Sequence, residues 1–322
     1  MNARPCLWLV PAALVLLIGC ATDSCLAPRP RTDRPLRLAF ITCARDAKFF
    51  EPVKQGMNDA ARMLGVRCDW LGTPGVDVKA QAELVRQAVA QGYQGLAANL
   101  IDPVAFDAVV EEAIKAGVPV VAFNVDDHAT PNARLAAVNQ RLYEAGRTLG
   151  QHVAPNIPAD SHVLLTMHDE GVSALEDRRR GIQDALHAKG VKWTVLVTGN
   201  DSAKGAEVIA DALRRQPGIR VVLSTGQSDT EAAGLAIEKH FPAGGYWSAG
   251  FDLSETTLRL IQAGHIRWTI DQQPYVQGFY PVVMLTHQLR YGLKPSSLDA
   301  GAAVIDRSTA AQVLELTRKH YR

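Results

Sequence analysis

The stretch Glu112-Ala-Ile-Lys-Ala-Gly-Val-Pro-Val-Val-Ala-Phe-Asn124 decides the fold: a helix-length segment closes at Gly117, and an unbroken apolar run, Val118–Phe123, then stops on an amide. A run of that length without polar alternation suits a strand covered on both faces. Working outward, the same unit repeats on either side. Leu36–Cys43, Val66–Leu71, Gly95–Ala98 and Leu135–Val138 are further short segments rich in β-branched or apolar residues, separated by segments with 3.6-residue periodicity. The beat resumes at Val163–Met167, Thr194–Val197, Val221–Ser224, Tyr246–Gly250 and Ile266–Ile270. Alternating strands and helices predict an α/β protein with parallel sheets and helices on both faces. Two five-strand units follow one another.

The two units read as copies. Gly56-Met-Asn-Asp59-Ala60 with Gly65-Val66 falls on Gly181-Ile-Gln-Asp184-Ala185 with Gly190-Val191 at an offset of 125 residues. Ala82-Glu83 then meets Ala206-Glu207, and Phe123-Asn124 meets Phe251-Asp252. Order and near-constant offset indicate duplication of a supersecondary unit.

Length and composition agree with two packed domains. The chain has 322 residues, 47% hydrophobic and 21% charged, with 34 Lys and Arg against 33 Asp and Glu, which suits two cores and excludes a disordered chain. No block of five like charges offers a footprint for nucleic acid or an anionic membrane. The expected partner is small and nearly neutral.

The N-terminus is biased. Arg4 precedes an apolar run of 13 residues, Leu7 to Gly19, shorter than the roughly 20 needed to cross a bilayer. A basic start, a short apolar run and a small residue before the cut predict a secretory signal over residues 1–19. The run closes on Leu17-Ile18-Gly19-Cys20, which looks like a bacterial lipobox, so Cys20 is the expected lipidated residue and the chain is exported. Residues 20–35, with prolines and little apolar content, read as a tether.

If two parallel sheets face each other, the loops at their strand ends converge on one cleft. In the first unit these loops supply Asp46 with Phe49 and Phe50, Asn99 with Asp102, and Asn124 with Asp126; in the second, His168 with Arg178, Asn200, Gln227 with Asp229, and Asp252. Asn139-Gln140 and Asp271-Gln272-Gln273 lie where the chain would cross between units. Amides, carboxylates and a guanidinium both donate to and accept from vicinal hydroxyls, and rings such as Phe49, Phe50 and Trp247 could cover the apolar face of a sugar or polyol. Asn and Asp after strands also cap helices, the preferred reading for Asp102 and Asp201.

Catalytic and nucleotide signatures fail. Ile41–Lys48 has no glycine with which to wrap a pyrophosphate, and Lys204-Gly205 reverses the phosphate-loop order. No metal-ligand spacing, nucleophile motif or cofactor motif occurs, so no catalytic residue, metal or cofactor is expected. None of the five cysteines forms a CxxC pair. Cys43 ends one strand and Cys68 begins its neighbour, which separates them by more than about 15 Å, beyond the roughly 7 Å a disulfide allows; both should be reduced and buried.

With these features in place the chain resembles bacterial periplasmic sugar-binding proteins of the ribose-binding type, which share their fold with the ligand-binding core of LacI-type repressors. The carriers are Phe49-Phe50, Glu112–Asn124, Arg178-Arg-Arg-Gly181, Gly250-Phe-Asp252 and Thr269-Ile-Asp-Gln272, over Leu36 to about Leu293. The resemblance implies two Rossmann-like lobes joined by a three-segment hinge, the periplasmic binding protein-like I fold. Lobe 1 would be 36–138 plus 274–302 and lobe 2 139–273 plus 303–322. It implies ligand contacts from Phe50, Asn99, Asn124, Arg178, Asp252 and Gln272, with Asp46 and Gln227 or Asp229 less firmly matched. Ribose binders usually carry Asp-Arg where this chain has Asn124-Val125, and Asn where it has Ala44–Ala47, departures that count against ribose itself.

The function so implied is a lipid-tethered solute-binding protein in the periplasm or cell envelope. It would deliver a small neutral sugar or polyol to an ABC permease in the inner membrane. A signal receptor of the same fold feeding a sensor is the alternative, and a carbohydrate-acting enzyme a remote one. A repressor would need an N-terminal helix-turn-helix where this chain has its lipobox, so no nucleic acid is expected.

Overall fold

The computed structural model describes residues 35–102, 104–126 and 132–322. The expected signal, Cys20, Cys25 and nearly all of the tether lie outside the described residues, as do Asp127 and His128.

The first half runs β1 (Arg37–Thr42), α1 (Glu51–Leu64), β2 (Arg67–Gly72), α2 (Val78–Ala90), β3 (Gly95–Ala98), α3 (Asp107–Lys115), β4 (Val120–Asn124) and β5 (Ala136–Asn139). The second runs α4 (Leu142–Val153), β6 (His162–Met167), α5 (Ser173–Leu186), β7 (Lys192–Val197), α6 (Ser202–Arg215), β8 (Val221–Ser224), α7 (Gln227–His240), β9 (Trp247–Phe251), α8 (Glu255–Ala263) and β10 (Ile266–Asp271). The chain closes with α9 (Pro274–Tyr291), β11 (Leu298–Asp299), β12 (Ala303–Ile305) and α10 (Ala310–Arg318). All ten strands read from the sequence are present; β11 and β12 were not foreseen, being two and three residues long.

The strands form two six-stranded sheets of like order, β11-β5-β4-β3-β1-β2 and β12-β10-β9-β8-β6-β7. Every pairing is parallel except β10 with β12. In each sheet the order reverses beside the first strand of the unit, between β1 and β3 and between β6 and β8, the place where open α/β sheets bind ligands. The fold is α/β with two lobes. Strands β3, β4, β5 and β8 are buried along their whole length, which is why their sequences show no polar alternation. Between sheets the chain passes three times: after β5, after β10, and between β11 and β12.

The duplication shows as a repeated helix crossing. A Cβ on Gly56 of α1 would overlap the backbone of Tyr275 on α9, and one on Gly278 would overlap Val53. In the second lobe the same holds for Gly181 of α5 against Tyr143, and for Gly146 of α4 against Arg178. Each pair of glycines lets two helix backbones touch, so the matched Gly56 and Gly181 do the same job.

Cys43 lies one residue past β1, while Cys68 pairs with Leu38 near the start of that strand; both thiols are free. They are half-buried rather than fully buried: Cys68 lies on the edge strand β2, and Cys43 lies past the end of β1. Desolvation still pushes Cys43 up to about 11 and Cys68 to about 12.

Candidate functional site

At the carboxyl ends of both sheets a continuous chain of buried polar side chains passes from one lobe to the other. Asn99, just past β3, donates from Nδ2 to Asn124 Oδ1 at 2.8 Å. Asn124 donates to Gln272 Oε1 at 3.2 Å and to Gln277 Oε1 at 3.1 Å. Gln272 in turn donates to Asp252 Oδ1 at 2.6 Å. Asp252 Oδ2 lies 3.4 Å from Arg178 Nη1. Arg178 completes the chain with Gln140 Oε1, at 3.2 Å from Nε and 2.9 Å from Nη2, and with the Thr225 carbonyl at 2.9 Å. Its guanidinium stands 4.3 Å from the centre of the Phe251 ring. All these side chains are buried, where hydrogen bonds are obligatory. Asn99 Oδ1 is nevertheless buried with no partner among the described residues.

The two lobes touch around this chain. Ser173 Oγ, at the start of α5, donates to the Ile101 carbonyl of the first lobe at 3.1 Å. Ala174 and Val172 pack with Leu100, Ile101 and Val125 in the first lobe's core.

The candidates read from the sequence separate into groups. Asn99, Asn124, Arg178, Asp252 and Gln272 come together as described. Gln227 heads α7 and donates to the Leu253 carbonyl at 2.6 Å, at the edge of the group. Asp229 is fully buried: Oδ1 meets His168 Nδ1 at 2.9 Å, and Oδ2 accepts from Thr225 N at 2.7 Å and Thr166 Oγ1 at 3.1 Å. Phe50 sits in the first lobe's core against Trp70 and Phe123, with Phe49 half-exposed edge-on beside it. Asp46 is exposed and pairs with its neighbour Arg45, and Asn200 is exposed; neither joins the polar chain.

Asp102 and Asp201 cap the turns that follow them, accepting from Val104 and Ala105 and from Ala203 and Lys204. Arg178 has no surface partner, since Glu176 binds Arg179 and Asp177 binds Arg180. Three participants were missed as site residues. Gln140 reads from the sequence only as a residue at a crossover. Thr225 contributes a backbone carbonyl, invisible to residue type. Gln277 lies inside α9, where a lone amide on a buried helical face was the available signal.

Two titratable groups border the chain. Burial acts to lower the His168 pKa, but its hydrogen bond to Asp229 and the charges of Asp229, Asp252 and Asp169 outweigh it and hold it above the usual histidine value. Desolvation raises Asp271 against the opposing pull of Arg322, whose Nε donates to Asp271 Oδ2 at 2.6 Å.

The model of the periplasmic binding protein domain matches residues 38–294. The chain belongs to the periplasmic binding protein family. It is 28% identical over 302 residues to the xylose/arabinose-binding protein XylF of Sulfolobus acidocaldarius, covering 88% of this chain and 74% of that one. It is 26% identical over 285 residues to the D-ribose/D-allose-binding protein of Pseudomonas aeruginosa, covering 84% and 88%. Among solved structures, a carbohydrate transporter from Acidothermus cellulolyticus in complex with myo-inositol superposes with a TM-score of 0.80 at 27% identity, covering 89% of this periplasmic binding protein and 100% of the other.

Proposed function

We propose that this periplasmic binding protein captures a neutral monosaccharide or polyol between its lobes and presents it to the permease of an ABC importer. The observation that carries this reading is the buried chain Asn99–Asn124–Gln272–Asp252–Arg178 at the carboxyl ends of both sheets. Its amides can donate and accept, as vicinal hydroxyls require. Its one guanidinium is already balanced by Asp252, which leaves no uncompensated cation to demand an anionic ligand. The unpartnered Asn99 Oδ1 awaits a donor. The names of the relatives, binders of pentoses, allose and an inositol, point to the same class.

In this reading Asn99, Asn124, Arg178, Asp252 and Gln272 contact the ligand, Gln227 borders it, and Phe49 covers a ring face with Phe50 packed behind it. Lobe 1 is 36–138 with 274–302 and lobe 2 is 139–273 with 303–322. The three passages between the sheets form a hinge, and closure about it buries the ligand. The protein performs no chemistry on it. Export under the residue 1–19 signal and lipidation at Cys20 tether it in the envelope. Cys20→Ser should then move the protein from the membrane to the soluble fraction.

The test is a thermal-shift screen with xylose, arabinose, ribose, allose, glucose, galactose and myo-inositol. A ligand at a hundredfold excess over Kd stabilises by about 2.7 kcal/mol, a clear rise in melting temperature. No rise with any sugar or polyol overturns the reading. Loss of uptake of the responding sugar on deletion of the protein tests the transport step.

A further inference from the structure

His168 lies one residue beyond β6, where the strand order of the second sheet reverses. Its ring has a built seat. Nδ1 meets Asp229 Oδ1 at 2.9 Å, and Asp229 is held in turn by Thr225 N and Thr166 Oγ1. A Cβ on Gly226 would overlap the imidazole at Cε1 and Nδ1, so the glycine is what admits the ring. Nε2 has no hydrogen-bond partner among the described residues, and the side chain keeps 21% of its surface open. A fully buried carboxylate thus aims an imidazole whose second nitrogen is left for something outside the protein. The charged groups around it are Asp229 on α7, Asp252 after β9, and Asp169 beside it. Arg178 of α5 joins through Thr225, whose carbonyl it binds while Thr225 N binds Asp229.

We propose that His168 Nε2 binds a hydroxyl of the captured sugar or polyol and so selects which hydroxyl pattern the cleft admits, with Asp229 acting through it as a positioning residue. This rests on the sugar-binding reading above. With Nδ1–H directed to Asp229, a neutral ring accepts at Nε2, and a protonated ring donates there. A hydroxyl answers both states, whereas an amide N–H answers the first alone and a carboxylate the second.

The experiment is a titration-calorimetry cycle. The sugar or polyol giving the largest thermal shift, and each of its monodeoxy analogues, are titrated into wild type, His168→Ala and His168→Gln. One analogue should bind wild type about three- to tenfold more weakly than the parent, the usual range for one hydrogen bond. Against His168→Ala the parent should fall by a like factor and that analogue should lose nothing further, with His168→Gln recovering part of the affinity. A merely structural histidine would weaken every analogue equally, and that outcome overturns the assignment while leaving sugar binding intact. If no sugar or polyol binds wild type, the sugar-binding reading fails and takes this assignment with it. A measurement without variants guards against misfolding: the His168 Nε2 resonance of wild type should move on saturation with the parent and move less with that analogue, and a resonance that stays put overturns the proposal.

Discussion

Asn124 and Asp252 occupy one place in two sheets, and Gln272 joins them. Each follows a phenylalanine at the end of the third strand from the sheet edge, and each takes a left-handed backbone, with φ of +62° and +70°. Asn and Asp tolerate that conformation better than other side-chain-bearing residues. It turns both side chains onto Gln272, which accepts from Asn124 and donates to Asp252. A residue at a passage between lobes thereby reads the same position of both.

Gln272→Ala should therefore lower both stability and affinity. It leaves one buried hydrogen-bond requirement open on each side, a loss of about 1–3 kcal/mol. Urea denaturation of the ligand-free protein and calorimetry with the responding sugar measure the two effects.

Arg178→Met tests whether the guanidinium is structural as well as ligand-directed. Glu176 and Asp177 are engaged elsewhere, and Arg178 is buried against Asp252, Gln140 and Thr225. Removing it strands the Asp252 carboxylate, at a cost of about 3–5 kcal/mol. The ligand-free protein should lose stability by that order, with partial recovery in the double variant Arg178→Met, Asp252→Asn, and ligand binding should vanish in both.

At Gly181 two effects compete. Alanine favours a helix over glycine by about 1 kcal/mol, but its methyl would overlap Tyr143 O and Arg147 N, backbone atoms that cannot swing aside. Overpacking costs about 1–3 kcal/mol, and here it pushes apart α4 and α5, moving Arg178 three residues away. Gly181→Ala should melt lower and bind sugar more weakly, whereas Gly190→Ala, outside the helix crossing, should spare binding.

Arg322→Ala removes the partner of the buried Asp271. Desolvation already raises Asp271 from 3.8, and losing the opposing cation raises it further. A carboxyl with a raised folded pKa favours the folded state at low pH and loses that contribution as pH rises through the folded value. The deficit of Arg322→Ala relative to wild type should therefore be smallest near pH 4 and grow toward pH 8, as melting curves across that range would show. A pH-independent deficit would contradict it.

His168 has the same sign for a different reason. Asp229, Asp252 and Asp169 lift its pKa above 6.5, so the folded state favours the imidazolium. Its stabilisation is complete below about pH 6.5 and is lost as pH rises through the folded pKa. The stability advantage of wild type over His168→Gln should shrink from pH 5.5 to pH 8.5, measured by chemical denaturation at each pH.

Much of this molecule was legible in its sequence. The strands that are buried along their whole length, such as β3, β4, β5 and β8, were legible because a strand covered on both faces needs an uninterrupted apolar run whatever surrounds it, and the alternation of strands with helix-length segments located the rest. Asn99, Asn124, Asp252 and Gln272 were legible for a related reason: polar residues that end or directly follow such runs sit at strand ends, and parallel sheets gather those ends; Arg178 reaches the same place from α5, the helix that follows β6.

What each polar residue does there was decided by the tertiary structure alone. Phe50 and Phe49 are adjacent and identical in type, yet one enters the core and the other stays at its edge. Asp229 and Asp252 both follow strands, yet Asp229 turns inward to hold His168 while Asp252 meets Arg178 and Gln272. The Thr225 carbonyl enters the site from the backbone, where residue type carries no signal, and Gln277 enters from a helix interior, where its lone amide marks a buried polar position without naming its partners. Local sequence determined periodicity and strand ends because these depend on neighbours a few residues away. Partnership depends on groups brought within about 3 Å from far along the chain, and only the folded lobes supply that distance.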